Sequence, residues 1–187
     1  MRPQIITLVV AALLAVAAVV WVLVRKRKAT TADLRQRFGP EYDRAVTEHG
    51  SERRAEAQLA DREKRVEKLT IRVLDPAERA RFIEQWQSMQ SRFVDDPKRA
   101  VTEADELVSS LMQTRGYPVA DFNQRAADIS VDYPGVVANY RAAHEIRLRL
   151  ERGEASTEDL RRAMIHYHSL FDEVVQVPAA LAVQEVA

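Results

Sequence analysis

Twenty consecutive residues near the start of the chain, Ile5 to Val24 (IITLVVAALLAVAAVVWVLV), carry no charge and no proline, and only Thr7 is polar. As an α-helix such a run rises ~1.5 Å per residue and reaches ~30 Å, the hydrocarbon thickness of a bilayer. Trp21 stands near one end, where an indole prefers the membrane–water interface. Arg25, Lys26, Arg27 and Lys28 follow at once. A cleaved signal peptide would carry its charge ahead of an apolar core of ~7–15 residues; here the core is longer and the charge comes after it. The expectation is therefore a short N-terminus (1–4) and a transmembrane helix (5–24), with Trp21, Arg25, Lys26, Arg27 and Lys28 at the interface.

The flanks also set a direction. Arg2 precedes the span, whereas four basic residues and then Arg35 and Arg37 follow it. The positive-inside rule puts residues 25–187 in the cytoplasm and the N-terminus outside a bacterial inner membrane. The basic cluster would meet anionic headgroups, at ~1 kcal/mol per residue. The rival placement is a secreted or periplasmic protein freed by cleavage.

The formal net charge of zero hides this asymmetry. Residues 1–28 hold five basic and no acidic residues, which leaves 23 basic against 28 acidic in the remainder. A mildly acidic body lacks the basic face that nucleic-acid binding requires. The absence of Cys excludes a disulfide scaffold, thiol chemistry and cysteine-ligated metal.

Beyond the span, Gly and Pro punctuate the chain at helix-sized intervals: Gly39-Pro40, Gly50, Pro76, Pro97, Gly116-Tyr117-Pro118, Pro134-Gly135, Gly153 and Pro178. Helix interiors disfavour Gly by ~1 kcal/mol and Pro by ~3 kcal/mol relative to Ala, so these positions read as helix ends. Asp75-Pro76-Ala77-Glu78 has the order of a capping box with Pro at the first helical position. Asp96-Pro97 repeats its first half, and Ser156 precedes acids suited to a first turn. Apolar residues recur with helical period. The stripes are Phe82, Ile83, Trp86, Met89 and Phe93, then Ala100 to Met112 through Leu107 and Leu111, then Val136 to Leu150, then Leu160 to Val174 through Tyr167 and Phe171. A short helix is expected from Asp121 to Ile129. Thr70 to Leu74 is the only strand-like run and has nothing to pair with. The reading is all-α: a transmembrane helix, a basic juxtamembrane linker (25–39), a charged helical stalk or coiled coil (40–74), a compact helical bundle (75–176) and a flexible tail (177–187). In the stalk Ala55, Leu59, Val66, Leu69 and Val73 make a partial seam that would support a homodimer through 55–73, although Arg62 interrupts it and shortens the case.

No motif announces catalysis. His166 and His168 are two apart, about 200° around a helix at ~3.6 residues per turn, and cannot share one ion. There is no H-E-x-x-H, G-x-S-x-G, Walker A or G-x-G-x-x-G pattern, so no metal, cofactor or catalytic residue is expected. Carboxylates near His144, or the neighbourhood of His166, offer the alternative of a membrane-tethered helical enzyme. The most unusual stretch is 115–141, where Tyr117-Pro118 and Tyr133-Pro134 bracket the short helix and Arg115, Arg125 and Arg141 accompany them. Tyr and Arg at stiff turns are residue types favoured in interfaces. Arg115, Tyr117, Arg125, Tyr133 and Arg141 are therefore expected to form a surface for a protein partner.

The runs FVDDP (Phe93 to Pro97), EADELV (Glu103 to Val108), RGYP (Arg115 to Pro118), QRAADISVDYP (Gln124 to Pro134) and NYRAAHEI (Asn139 to Ile146) carry a resemblance over roughly 80–175. The chain resembles a group of bacterial membrane or secreted proteins with no assigned activity, so the resemblance transfers no site residues. An excess of Arg over Lys, 23 to five, suggests a GC-rich bacterial genome. Together these readings give the expectation of a cytoplasmic helical adaptor or scaffold anchored in the lipid bilayer by its transmembrane helix.

Overall fold

The structure is a computed structural model that describes Trp21 and residues 30–118 and 121–176. Among these residues it is all-helical: α1 (30–38), α2 (Pro40–His49), α3 (Glu52–Val66), α4 (Pro76–Arg92), α5 (Pro97–Thr114), α6 (Phe122–Asp132), α7 (Val137–Glu151) and α8 (Thr157–Val175). The expected span at 5–24 and the cluster Arg25, Lys26, Arg27 and Lys28 lie outside the described residues, apart from Trp21, which is helical and 60% exposed. No helix among the described residues is long and apolar enough to cross a membrane. The tail from 177 is likewise outside them.

Local chemistry starts most of these helices. Asp75 accepts from the Glu78 backbone N–H at 2.8 Å, and the Glu78 carboxylate accepts from the Asp75 N–H at 3.1 Å, closing the capping box around Pro76. Ser156 and Asp159 do the same for α8. Asp96 and Asp121 cap α5 and α6 by accepting from Arg99 and Gln124. Such caps each contribute ~1 kcal/mol and fix where the chain enters a helix.

The main core lies among α4, α5, α7 and α8. It is filled by Phe82, Trp86, Met89, Val101, Val108, Leu111, Tyr140, Tyr167, Leu170 and Phe171, with Ala126 and Ile129 from α6. Ala104, Ala143 and Ala163 are fully buried and supply small contact positions between the larger side chains. Leu107, expected inside, is only partly buried.

Residues 30–74 differ from the expected linker and stalk. Residues 30–38 are helical, and they deliver Leu34 and Phe38 into a second, smaller core. The charged segment is not one helix: Gly50 at φ 70° ends α2 and Ser51 caps α3. The seam residues Ala55, Leu59 and Val66 are covered by the chain's own Leu34, Phe38, Tyr42 and Val131. The homodimer expected through 55–73 thus lacks a free apolar stripe here, because intramolecular packing already uses it.

Residues 70–74 are extended but form no strand. Arg72 donates its N–H to the Arg115 carbonyl at 2.9 Å, which docks this connection against the end of α5. Gly116 makes the contact possible. Its φ is +101°, and a Cβ there would sit 2.2 Å from the Thr70 carbonyl oxygen.

Candidate functional site

Three of the five residues expected to meet a partner are inside the protein. Arg115 is 1% exposed, and Tyr117 and Tyr133 are also buried. The Arg115 guanidinium donates from Nε to the Arg72 carbonyl at 3.0 Å. Its Nη1 donates to the Tyr133 hydroxyl at 2.9 Å and to the carbonyls of Val174 at 2.7 Å and Gln176 at 3.2 Å. Tyr117 donates to the Asp132 carboxylate. Burial raises the pKa of both tyrosines, with Asp132 adding to the rise at Tyr117 and Arg115 opposing it at Tyr133. The expected Tyr/Arg surface is instead an internal clamp joining the 70–72 connection, the end of α5 and the end of α8. The physical reason is long-range: the carbonyls that hold Arg115 come from segments more than 40 residues away.

Arg125 and Arg141 do not join that clamp. Arg125 donates from Nε to the Tyr140 hydroxyl at 3.2 Å. Arg141 donates from Nη2 to Glu41 at 2.9 Å.

The histidines divide between separate environments. His144 lies flat on Phe122, with ring centroids 3.5 Å apart and 5° between the planes. Its Nδ1 is 4.0 Å from Asp105 and has no hydrogen-bond partner. Asp105 is engaged elsewhere, accepting from the Tyr167 hydroxyl at 3.0 Å and lying 3.2 Å from Arg147 Nε. Burial lowers the His144 pKa, with Asp105 opposing the fall and Arg147 and Arg125 adding to it. His166 meets the Asn139 side chain at 3.1 Å, and burial together with Arg162 lowers its pKa as well. His168 turns the other way, 5.1 Å from the Trp86 ring and 3.3 Å from Asp172. Among the described residues no three His, Cys, Asp or Glu side chains group so as to hold a metal ion.

Two surface features were not read from the sequence. The first is an apolar groove of about 240 Å³ between α4 and α8, lined by Trp86, Phe93, Met164, Ile165 and His168. Trp86 stacks on Phe171 at 4.8 Å, and Ile165 on the rim is 53% exposed. Trp86 was assigned to the core by its helical spacing, and it does fill the core; the same indole also floors the groove. The second is a polar cavity of about 330 Å³ between α2, α3, α6 and α7, into which Arg62 and Arg141 project. Its only sequence signal was Arg62 standing in an apolar seam. No protein-family model, no curated protein and no solved structure matches the chain.

Proposed function

We propose that this is a single-pass inner-membrane protein whose cytoplasmic helical domain acts as an interaction module, an adaptor or scaffold held at the membrane. The observation that carries the reading is the uncharged run Ile5 to Val24 with its basic cluster on one side only. The α4–α8 groove supports the second half. It combines an aromatic floor with an exposed aliphatic rim, the pattern of a surface that gains by being covered. Reporter fusions test the tether: a C-terminal fluorescent protein should mature and a C-terminal alkaline phosphatase should stay inactive. The reverse result removes it. A photo-crosslinker at Ile165 should capture partners that the same group at exposed Glu145 on α7 does not; equal capture at both positions removes the groove from the reading.

A tethered enzyme is the second reading, and one observation favours it. Asp105, within 4.0 Å of His144, also lines a cavity of about 370 Å³ with Ser109 and Arg125. An acid–base role would need a base in hydrogen-bond reach of its substrate. Against it, Tyr167 and Arg147 already engage Asp105, and Phe122 covers one face of His144.

A further inference from the structure

Arg62 breaks the apolar seam of α3 and is 3% exposed. A guanidinium in such a place has to be satisfied by partners, and this one is satisfied only in part. Nη1 donates to Glu41 Oε1 at 3.0 Å and to Ser130 Oγ at 3.3 Å, while Nε is buried with no acceptor. Arg141, from α7, donates its Nη2 to the same Glu41 oxygen at 2.9 Å, and its Nε also has no acceptor. Arg44 takes the other Glu41 oxygen at 3.0 Å. Three guanidiniums therefore share one carboxylate that is itself 2% exposed. Glu48 offsets one of the surplus charges through Arg44, at 2.9 Å. Beside this cluster Arg65 is neutralised by Asp128 at 2.7 Å.

The lining of the cavity is richer in arginine than in carboxylate, although the carboxylates behind it balance the count. It presents Arg44, Arg62, Arg65 and Arg141 against the carboxylates of Glu48 and Asp121. Glu41 and Asp128 lie behind that lining, each held by arginine. His49, also in the wall, has a buried Nε2 without a partner. The lining thus carries four guanidiniums against two carboxylates, and the planar fork of a guanidinium matches an oxyanion. Burial lowers the pKa of Arg141 against the pull of Glu41, the direction expected of a cation that lacks enough negative charge around it. A volume of about 330 Å³ is at the small end of ligand cavities.

We propose that this cavity binds a phosphate group, free or as the monoester of a small molecule or lipid, between the Arg62 and Arg141 guanidiniums. The proposal stands independently of the tether and of the α4–α8 groove.

The test uses the full chain in phosphatidylcholine nanodiscs with ¹⁵N-labelled arginine, following the Nε–Hε signals. Inorganic phosphate is titrated at constant ionic strength against chloride. The expected result is a saturable shift of the Arg62 and Arg141 signals. Arg62→Gln would leave Glu41 with altered partners and risks unfolding, so the half-exposed Arg44→Gln and Arg65→Gln carry the comparison. Each, shown folded by circular dichroism, should weaken the apparent affinity at least tenfold. Nanodiscs containing phosphatidic acid distinguish the sources. Shifts reproduced there without added phosphate assign the site to a lipid headgroup, and shifts seen only with inorganic phosphate assign it to a soluble ligand. No saturable shift with either probe, an equal shift with chloride, or unchanged affinity in both folded variants overturns the proposal.

Discussion

Arg115 is the buried cation whose replacement should be most informative. Its Nε and Nη1 have four acceptors in reach, three of them carbonyls, with the two Nη1 hydrogens shared among three, while Nη2 is buried without a partner; it pairs with no carboxylate among the described residues. Two of those carbonyls, Val174 and Gln176, close the end of α8, where unsatisfied acceptors and the negative end of the helix dipole favour a cation. Buried ion pairs can often be exchanged for apolar residues at no cost, because both charges leave together. Here the acceptors are backbone and cannot leave. In Arg115→Met, the Arg72 and Gln176 carbonyls belong to exposed residues and can rehydrate, whereas Val174 and Tyr133 are buried and stay dry. Two stranded buried groups at ~1–3 kcal/mol each, less the recovered desolvation of the guanidinium, leave a loss of about 3 kcal/mol. For a chain of this length that lowers Tm by about 6–12 °C. Arg115→Lys keeps the charge but loses the fork, and should fall between wild type and Met. Urea unfolding followed by far-UV circular dichroism measures both, and hydrogen exchange at the end of α8 should accelerate in each. A Met variant within ~0.5 kcal/mol of wild type, or a Lys variant less stable than Met, would refute the reasoning.

Two further substitutions probe packing. Gly116→Ala should cost ~3 kcal/mol or more, because its Cβ meets the Thr70 carbonyl at 2.2 Å, whereas Gly50→Ala, with open space at φ +70°, should cost only ~1–2 kcal/mol for the left-handed backbone; urea midpoints of the two variants compare them directly. Leu111→Ala, at a fully buried position of the main core, should lose ~2–5 kcal/mol, checked in the same titration.

What could be read from the sequence was what neighbours in the chain decide. The boxes at Asp75 and Ser156 were legible because donor and acceptor lie three residues apart, and the Arg115-Gly116 helix end because Gly alone accepts that φ easily. The stripes of α4, α5 and α8 were legible by period with two exceptions: Leu107 lies beside a groove and is only partly buried, and Ile83 is exposed. Tyr117 and Tyr133 were misplaced because a tyrosine beside a proline has the same local signature inside or out. What holds the clamp inside is the docking of the 70–72 connection and the end of α8 on Arg115, whose approach no local pattern encodes. Arg62 is the converse case. Its place in an apolar seam was visible and counted against a coiled coil, but its acceptor at Glu41 and the neighbouring Arg141 came together only through the fold.

The way α1–α3 joins the bundle leads to a prediction about acid. Inside α1–α3 an apolar cluster of Leu34, Phe38, Tyr42, Ala55 and Leu59 is flanked by ion pairs such as Arg35–Glu52 and Arg37–Glu63. Across the junction Val131 is the buried apolar contribution from α6, and the rest is polar: Arg141 on Glu41, Arg65 on Asp128, and Arg62, itself paired with Glu41 inside α1–α3, donating to Ser130. Burial raises the Glu41 pKa, but its arginine partners outweigh it and hold the carboxyl below its ordinary value. A carboxylate with a depressed folded pKa stabilises above its unfolded pKa, and that stabilisation is lost as pH falls through the folded value. Glu78 and Asp159, both at about 2, act in the same direction in the bundle, but solvent-screened Glu78, only partly buried, carries little of it. Between pH 5 and pH 3 the junction should therefore loosen before the main core. Hydrogen exchange, corrected for its intrinsic pH dependence, should show protection falling over α2 and α3 while α5 and α8 keep theirs. Glu41→Gln should reproduce the loosening at pH 7, with a loss of ~3–5 kcal/mol expected when one partner of a buried ionic cluster is removed. It should also flatten the acid dependence of α2 and α3. If protection falls equally in all helices, or if Glu41→Gln retains the wild-type acid profile, the junction is not held by this carboxylate and the two cores unfold as one unit.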